Sequence, residues 1–319
     1  MITDKLLLID FMNITTRSAT GVISAVKRHQ SALYNQMEKP IKLSSLRMTE
    51  GAFVSAVLDE IFQCLISHSD GHIPVICQES RPTWRKKVFP EYKDGRVKTS
   101  ELDWKDFYEL HEKLYNRLSS CNLFIPMKVG LCEGDDIIGV LSLDALSNDN
   151  IILSNDGDFL QLSHKANIIS RNAPNGSYWG VQTESFAKTK LIRKLFTGDS
   201  GDNIKPVVPR ITGPVTTEKM ITEGVDPVLS VNSWLDQLDA KYPELSVKKR
   251  YKRNQILIDL SMINHILKDR ITKEYMVKRQ GFKPDFYELG KIVMEYGLSE
   301  LQKSIDFASR KLKYKVGIL

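Results

Sequence analysis

Mostly apolar segments at 6–11, 73–78, 123–129 and 151–154, with a weaker one at 167–170, read as strands buried on both faces. Between them the apolar positions fall three and four apart. Over 48–66, Phe53, Val54, Val57, Leu58, Ile61, Phe62 and Leu65 share one side of a helix, and 103–118 and 135–146 behave similarly. Strand and helix in alternation predict an α/β fold with a mostly parallel central sheet flanked by helices. The stretch 15–47 has weak periodicity, scattered Ser, Thr and Lys, and Pro40, and is read as a loop or mobile excursion. From about Thr183 the pattern turns helical, and past Pro206 no buried strand run is evident. The expected division is an α/β domain over 1–182 and a smaller helical domain over 183–319. No repeat or low-complexity tract interrupts either part.

In open parallel sheets, ligands gather outside the carboxyl ends of the strands. Acids stand at those ends here. Asp10 closes the first run, Glu133, Asp135 and Asp136 follow the third, and Asp156 and Asp158 follow the fourth; Asp199 and Asp202 lie further on, in Gly198-Asp199-Ser200-Gly201-Asp202-Asn203. The topology predicts that these distant residues form one site. Taken singly, Asp-Gly is a common turn and Asp or Asn a common helix cap. Taken together, they need a counterion, because each added carboxylate raises the cost of ionising the next. With no comparable cluster of His or thiolate, oxygen-ligated Mg2+, with Mn2+ as its substitute, fits better than zinc. His68 and His72 are four apart, but Ser69-Asp70-Gly71 between them reads as a turn and no third ligand lies near.

The chain has 319 residues, and its 42% apolar content can fill a core. The formal charge is +6, from 45 Lys and Arg against 39 Asp and Glu, unevenly spread. Arg81, Arg85, Lys86, Lys87, Lys93, Arg96 and Lys98 lie close together against Glu91 and Asp94, and Lys248, Lys249, Arg250, Lys252 and Arg253 crowd a second segment. Alone, such a run is a solvated helix face. Beside a carboxylate cluster it points to a polyanionic partner, namely nucleic acid. The apolar run ending at Asp10 is too short for a signal peptide, and nowhere do about eighteen apolar residues run together, so no membrane association is expected. The cysteines Cys64, Cys77, Cys121 and Cys132 show no paired spacing, which suits a reducing cytoplasm. At Ile211-Thr212-Gly213-Pro214-Val215-Thr216, a turn opens into a helix whose free N–H groups can hold phosphate. It resembles the second half of a helix-hairpin-helix element near 200–224, with Gly213, Thr216 and Lys219 as phosphate contacts; an ordinary helical corner is the alternative.

Leu8-Ile9-Asp10-Phe11, Phe89-Pro90-Glu91-Tyr92-Lys93-Asp94-Gly95-Arg96, Glu133-Gly134-Asp135-Asp136, Asp156-Gly157-Asp158-Phe159 and the Gly198–Asn203 motif are similar, in order and spacing, to the motif set of the 5′ nucleases. That superfamily includes flap endonucleases and the exonuclease domains of bacterial polymerases. Thr83-Trp84-Arg85, Ile256-Leu257-Ile258-Asp259 and the segment from Tyr296 to Ile305 more narrowly resemble the ribonuclease H family of T-even bacteriophages. The resemblance implies a two-metal phosphodiesterase that removes RNA primers from lagging-strand fragments by 5′ to 3′ exonuclease and flap cleavage.

It also implies roles. Asp10, Glu133, Asp135, Asp136 and Asp156 would surround one metal, while Asp158, Asp199 and Asp202 would hold the other, directly or through water. Lys93 would reach the scissile phosphate from a helical arch near 80–100, with Arg85 and Arg96 as neighbours and Lys86 and Lys87 as further nucleic-acid contacts. The implied partners are a single-stranded-DNA-binding protein and a sliding clamp, and the protein is expected to be a monomer. Two positions depart from the family pattern. Cys77 stands where the family has an aspartate after the second strand, with Glu79 two residues later, so either Glu79 replaces it through a register shift or the site runs one carboxylate short. Ile211 replaces the glycine usual at the start of the hairpin turn. The Lys- and Arg-rich tail after Phe307 has no assigned role. Cys77 leaves open a second reading, a DNA-fork-binding replication accessory protein with weakened catalysis. A haloacid-type phosphatase using Asp10 needs an acid where Met12 stands.

Overall fold

In a computed structural model that describes residues 2–69, 71–96, 98–169, 178–208, 227–283 and 285–315, six strands pair in the order β3-β2-β1-β4-β5-β6. β1 (Leu6–Asp10), β2 (Ile73–Cys77), β3 (Ile125–Met127), β4 (Asn150–Leu153) and β5 (Ala166–Ile169) are parallel, and β6 (Tyr178–Trp179) is an antiparallel edge. This is the mostly parallel sheet that the apolar runs predict. Successive strand residues face opposite ways: Leu7, Ile9, Ile76, Ile151 and Leu153 join one core, and Leu6, Leu8, Val75 and Ile152 join another. Burial on both faces is why the strands read as unbroken apolar runs.

On the first face lie α1 (Phe11–His29), α2 (Ser31–Gln36), α3 (Arg47–Ser67) and α5 (Trp104–Ser120); on the second lies α6 (Gly134–Asp144). The short α4 (Trp84–Val88) sits between β2 and α5. α7 (Glu184–Thr197), α8 (Pro227–Lys241) and α9 (Val247–Ile258) build a small core of their own around Phe196, Val207 and Trp234. The chain then returns to the sheet. α10 (His265–Gln280) inserts Leu267, Ile271 and Tyr275 beside α6, while α11 (Tyr287–Tyr296) and α12 (Ser299–Lys315) add Leu289, Ile292, Leu301 and Ile305 to the core on the α3 side. Gly139 of α6 makes one of these contacts possible, since a Cβ there would lie 2.9 Å from Leu260 Cβ. Among the described residues no helix is long and apolar enough to cross a membrane. All four cysteines are buried free thiols.

The expected loop at 15–47 is corrected by the structure. Residues 11–29 form a helix that buries Phe11, Ile14, Thr15, Ser18, Ala19, Val22, Ile23 and Val26, a regular three-four stripe. Its period is hidden because hydroxyl residues occupy two core positions. Thr15 satisfies its hydroxyl within the fold, donating to Phe11 O at 2.8 Å and lying 2.8 Å from His111 Nδ1, so it is buried without an orphaned polar group.

Candidate metal centre and the segment that covers it

β1 ends on Asp10, whose carboxylate also caps α1, accepting from Asn13 N at 3.2 Å and from Ser154 Oγ at 2.6 Å. Ser154 follows β4 and accepts from Asp156 N at 3.0 Å, while Asp156 accepts from Asp158 N at 2.9 Å. The end of β4 is thus tied to the end of β1. Asp135, in the first turn of α6, accepts no hydrogen bond from any described residue. The three acids feel one another. Burial, and then Asp156, push the Asp10 carboxyl up to about 6 against the Ser154 hydrogen bond. Burial, followed by Asp10 and Asp156, drives Asp135 well up as well. Asp156 is raised by burial and by Asp199, with Lys194 opposing.

α7 stops at Gly198, with φ at +70°, where a Cβ would stand 2.3 Å from Ile204 O. Only glycine fits. The following loop closes with Asp199 N on Ile204 O at 2.8 Å and Ile204 N on Asp199 O at 2.7 Å, presenting Asp199 and Asp202. Lys194, at the end of α7, places its ammonium against Asp158 and 2.8 Å from Asp199. Burial works to raise Asp199, but Lys194 and the loop amides bring it below the usual carboxylate value. Asp135, Asp158, Asp199 and Asp202 line one small cleft with Arg85 and Tyr92, so the two groups of acids meet there.

A basic and aromatic segment closes over this cleft. The Tyr92 hydroxyl stands 2.8 Å from Asp202 and 3.0 Å from Glu133, its one proton serving either acceptor. Burial and Glu133 push the phenol far up, so it stays a donor. Lys93, with a left-handed backbone at φ 60°, donates its N–H to Asp202 O at 2.9 Å and its ammonium to Glu133 at 2.5 Å. Arg96 donates to Asp202 at 2.8 Å and to Gly201 O at 3.1 Å. Burial opposes the ionised Glu133, yet Lys93 and Arg85 outweigh it and leave its pKa below the ordinary value. Half-buried Lys86 pairs with Asp94, and Lys87 is exposed.

Three expected positions differ. Arg85, expected beside the substrate, is only 3% exposed. It donates to Glu133 at 2.8 Å, Asp136 at 2.7 Å and Leu257 O at 2.8 Å, so it neutralises acids beneath the cleft. Asp136, expected at the first metal, is filled: Arg85 meets one oxygen, while Trp84 Nε1 at 3.0 Å and Glu133 N at 2.8 Å meet the other. Finally, β1 and β2 pair without interruption from Leu6↔Ile73 to Asp10↔Cys77. No register shift occurs, so buried Cys77 stands beside Asp10, and Glu79 instead bonds Arg81 at 2.8 Å. Ile211, Gly213, Thr216 and Lys219 lie outside the described residues.

Sequence reasoning missed Tyr92, Lys194 and Ser154. Tyr92 lay inside a recognised motif; Lys194 carried a weaker signal, four residues before the glycine that ends its helix. Among the described residues no three acidic, His or Cys side chains stand together as a ready cation cage, and Arg85, Lys93 and Lys194 engage oxygens of Glu133, Asp158 and Asp199. The donors nevertheless suit a hard cation. They are almost wholly carboxylate, Asp135 has no hydrogen-bond partner among the described residues, and a lysine ammonium already stands in for a cation between Asp158 and Asp199.

Residues 5–194 match the family described as 5′-3′ exonuclease, N-terminal resolvase-like domain. The chain is 27% identical over 246 residues to the ribonuclease H of Enterobacteria phage T4, covering 73% of this chain and 78% of that protein. It is 30% identical over 240 residues to a 5′-3′ exonuclease of Buchnera aphidicola, covering 67% and 79% respectively. The fold is similar to that of the bacteriophage T5 D15 protein co-crystallized with metal ions, with a TM-score of 0.58 and 19% identity over 86% of this chain and 99% of that one.

Proposed function

The chain belongs to the 5′-3′ exonuclease family and is a 5′ nuclease, a hydrolase; from that premise we propose that two Mg2+ ions serve it in cutting phosphodiesters near the 5′ ends of RNA–DNA hybrids, DNA duplexes and flaps. Its role is the removal of RNA primers during phage DNA replication. The observation that carries this reading is the meeting of Asp135, Asp158, Asp199 and Asp202 in one cleft, with Asp10 and Asp156 within electrostatic reach of Asp135.

Asp10, Asp135 and Asp156 would hold one cation, and Asp158, Asp199 and Asp202 the other. Bound there, the ions supply a water of lowered pKa and offset charge on the departing oxygen. The chain's own residues do the rest. Ser154 and Asn13 aim the Asp10 carboxylate. Arg85 and Trp84 fix Asp136 and with it the start of α6, so that Asp135 projects toward the cleft. Lys93 and Arg96 bring positive charge to the cleft, where a phosphodiester transition state gathers negative charge. In this proposal α7 to α9, which share a core of their own, form the duplex-binding part. It also includes a monomer in the host cytoplasm that works with a single-stranded-DNA-binding protein and a sliding clamp.

Asp158→Asn and Asp202→Asn, assayed on a labelled flap substrate in Mg2+, are expected to lose about a hundredfold or more in cutting rate. Undiminished cutting would end the proposal. Wild-type protein that binds the flap but yields no product in Mg2+ or Mn2+ would favour a fork-binding accessory role instead.

A further inference from the structure

We propose that an open groove along α5, built on Trp104 and Tyr108, is a stacking site for an unpaired base of single-stranded nucleic acid. The groove offers about 520 Å3 of space open to solvent and is lined by Lys98, Trp104, Lys105, Tyr108, Glu109 and Glu112. That is room for a nucleotide. The two rings lie 6.1 Å apart, and Trp104 is pre-set: its indole N–H donates to Thr99 O at 3.0 Å, and fully buried Phe107 meets it edge-on at 5.5 Å. An aromatic surface already fixed in place loses little freedom on binding.

Charge selects the occupant. The Lys98 ammonium stands 5.2 Å from the Trp104 ring and 4.7 Å from the Tyr108 ring, and the Arg81 guanidinium 4.9 Å from the Tyr108 ring. Of the nearby acids, Glu112 is engaged by Lys128 at 2.6 Å and by Gln78 at 3.3 Å, and Glu79 by Arg81. Exposed Glu109 remains. Rings bordered by cations suit a base with its phosphate, since stacking tolerates any base and the ammonium groups track the backbone. Arg81 is already paired with Glu79, but an apolar peptide would leave the Lys98 ammonium with no counterion among the described residues.

The location agrees. Gln78 follows β2 and Lys128 follows β3, and both bond Glu112, so the groove opens at the same end of the sheet as the carboxylates. It also directly follows the segment that covers the cleft. This inference rests on the nuclease reading and adds to it a contact for the unpaired 5′ strand.

The test uses fluorescein-labelled oligothymidylate and a blunt duplex, read by anisotropy without divalent metal so that nothing is cut. Trp104→Ala and Tyr108→Ala should each weaken oligothymidylate binding about tenfold, while Trp104→Phe, which keeps a ring, stays within about twofold of wild type. Blunt-duplex affinity should not change. Equal oligothymidylate affinity in wild type and Tyr108→Ala would overturn the stacking site, as would a parallel loss of duplex affinity. Should Trp104→Ala fail to fold, Tyr108→Ala and Lys98→Gln decide the matter, the latter expected to weaken single-strand binding. Wild type that cuts flaps while these variants bind normally would sink the groove alone; wild type that neither cuts nor binds would sink the nuclease reading.

Discussion

Replacing Arg85 by Leu tests whether a buried guanidinium holds the foundation of the cleft together. The side chain is 3% exposed and makes three hydrogen bonds, to Glu133 at 2.8 Å, Asp136 at 2.7 Å and Leu257 O at 2.8 Å. Burial works against its charge, but Asp136 and Glu133 outweigh that cost and hold its pKa above the ordinary value. Leucine would fill much of the space and leave Asp136, fully buried, without a cation. Glu133 would keep Lys93 and Tyr92. An uncompensated buried charge of this kind costs about 3–5 kcal/mol. At about 1.5 °C per kcal/mol in a chain of this size, the melting temperature should fall by roughly 4–8 °C. Adding Asp136→Asn should restore about half of the loss, because the neutral amide needs no counterion and can still accept from Trp84 and the Glu133 amide. Thermal unfolding followed by circular dichroism reads both effects. A loss below about 1 kcal/mol, or a double variant no better than the single one, would refute the reasoning.

Three further outcomes are expected. Burial holds the His111 imidazole down, at about 4 against an ordinary 6.5, between Thr15 and Gln78. The unfolded chain therefore binds the extra proton first, and the stability present above pH 6.5 is lost as pH falls toward 4. His111→Gln should flatten that decline by about 3 kcal/mol, and denaturant titrations showing the same slope in both proteins would contradict it. Gly198→Ala combines positive φ with a Cβ 2.3 Å from Ile204 O; it should lower stability by about 2 kcal/mol or more and displace Asp199 and Asp202, and a variant that melts like wild type and keeps full activity would show that the turn is not strained. Mg2+ should raise the melting temperature of wild type, and raise it further in Lys194→Met, where no ammonium competes for Asp158 and Asp199; equal shifts in calorimetry would argue against a shared site.

Much of the architecture was legible in the linear pattern. The strands announced themselves because helices cover both sides of the sheet, and Phe53 to Leu65 kept an unbroken helical period. α1 escaped because Thr15 and Ser18 put hydroxyls into its buried stripe, which reads as noise until their neighbours are known. The return of α10 to α12 onto the sheet was equally hidden. Their apolar stripes could be read, but a stripe does not name the surface it covers.

The site divides in the same way. The acids at strand ends and their motif order are properties of the chain itself. Which acids face the cleft and which are closed off was decided by folding: Asp136 is filled by Arg85 and Trp84, and Asp135, which lines the cleft, has no hydrogen bond among the described residues. The choice between Glu79 and Cys77 beside Asp10 likewise fell to the strand register. The physical reason is range. Propensity and periodicity act between residues a few places apart and are written into composition, whereas the state of a carboxylate depends on which charge lies within a few ångströms in a poorly screening interior. Arg85, Glu133 and Asp136 acquire that proximity only when the chain folds.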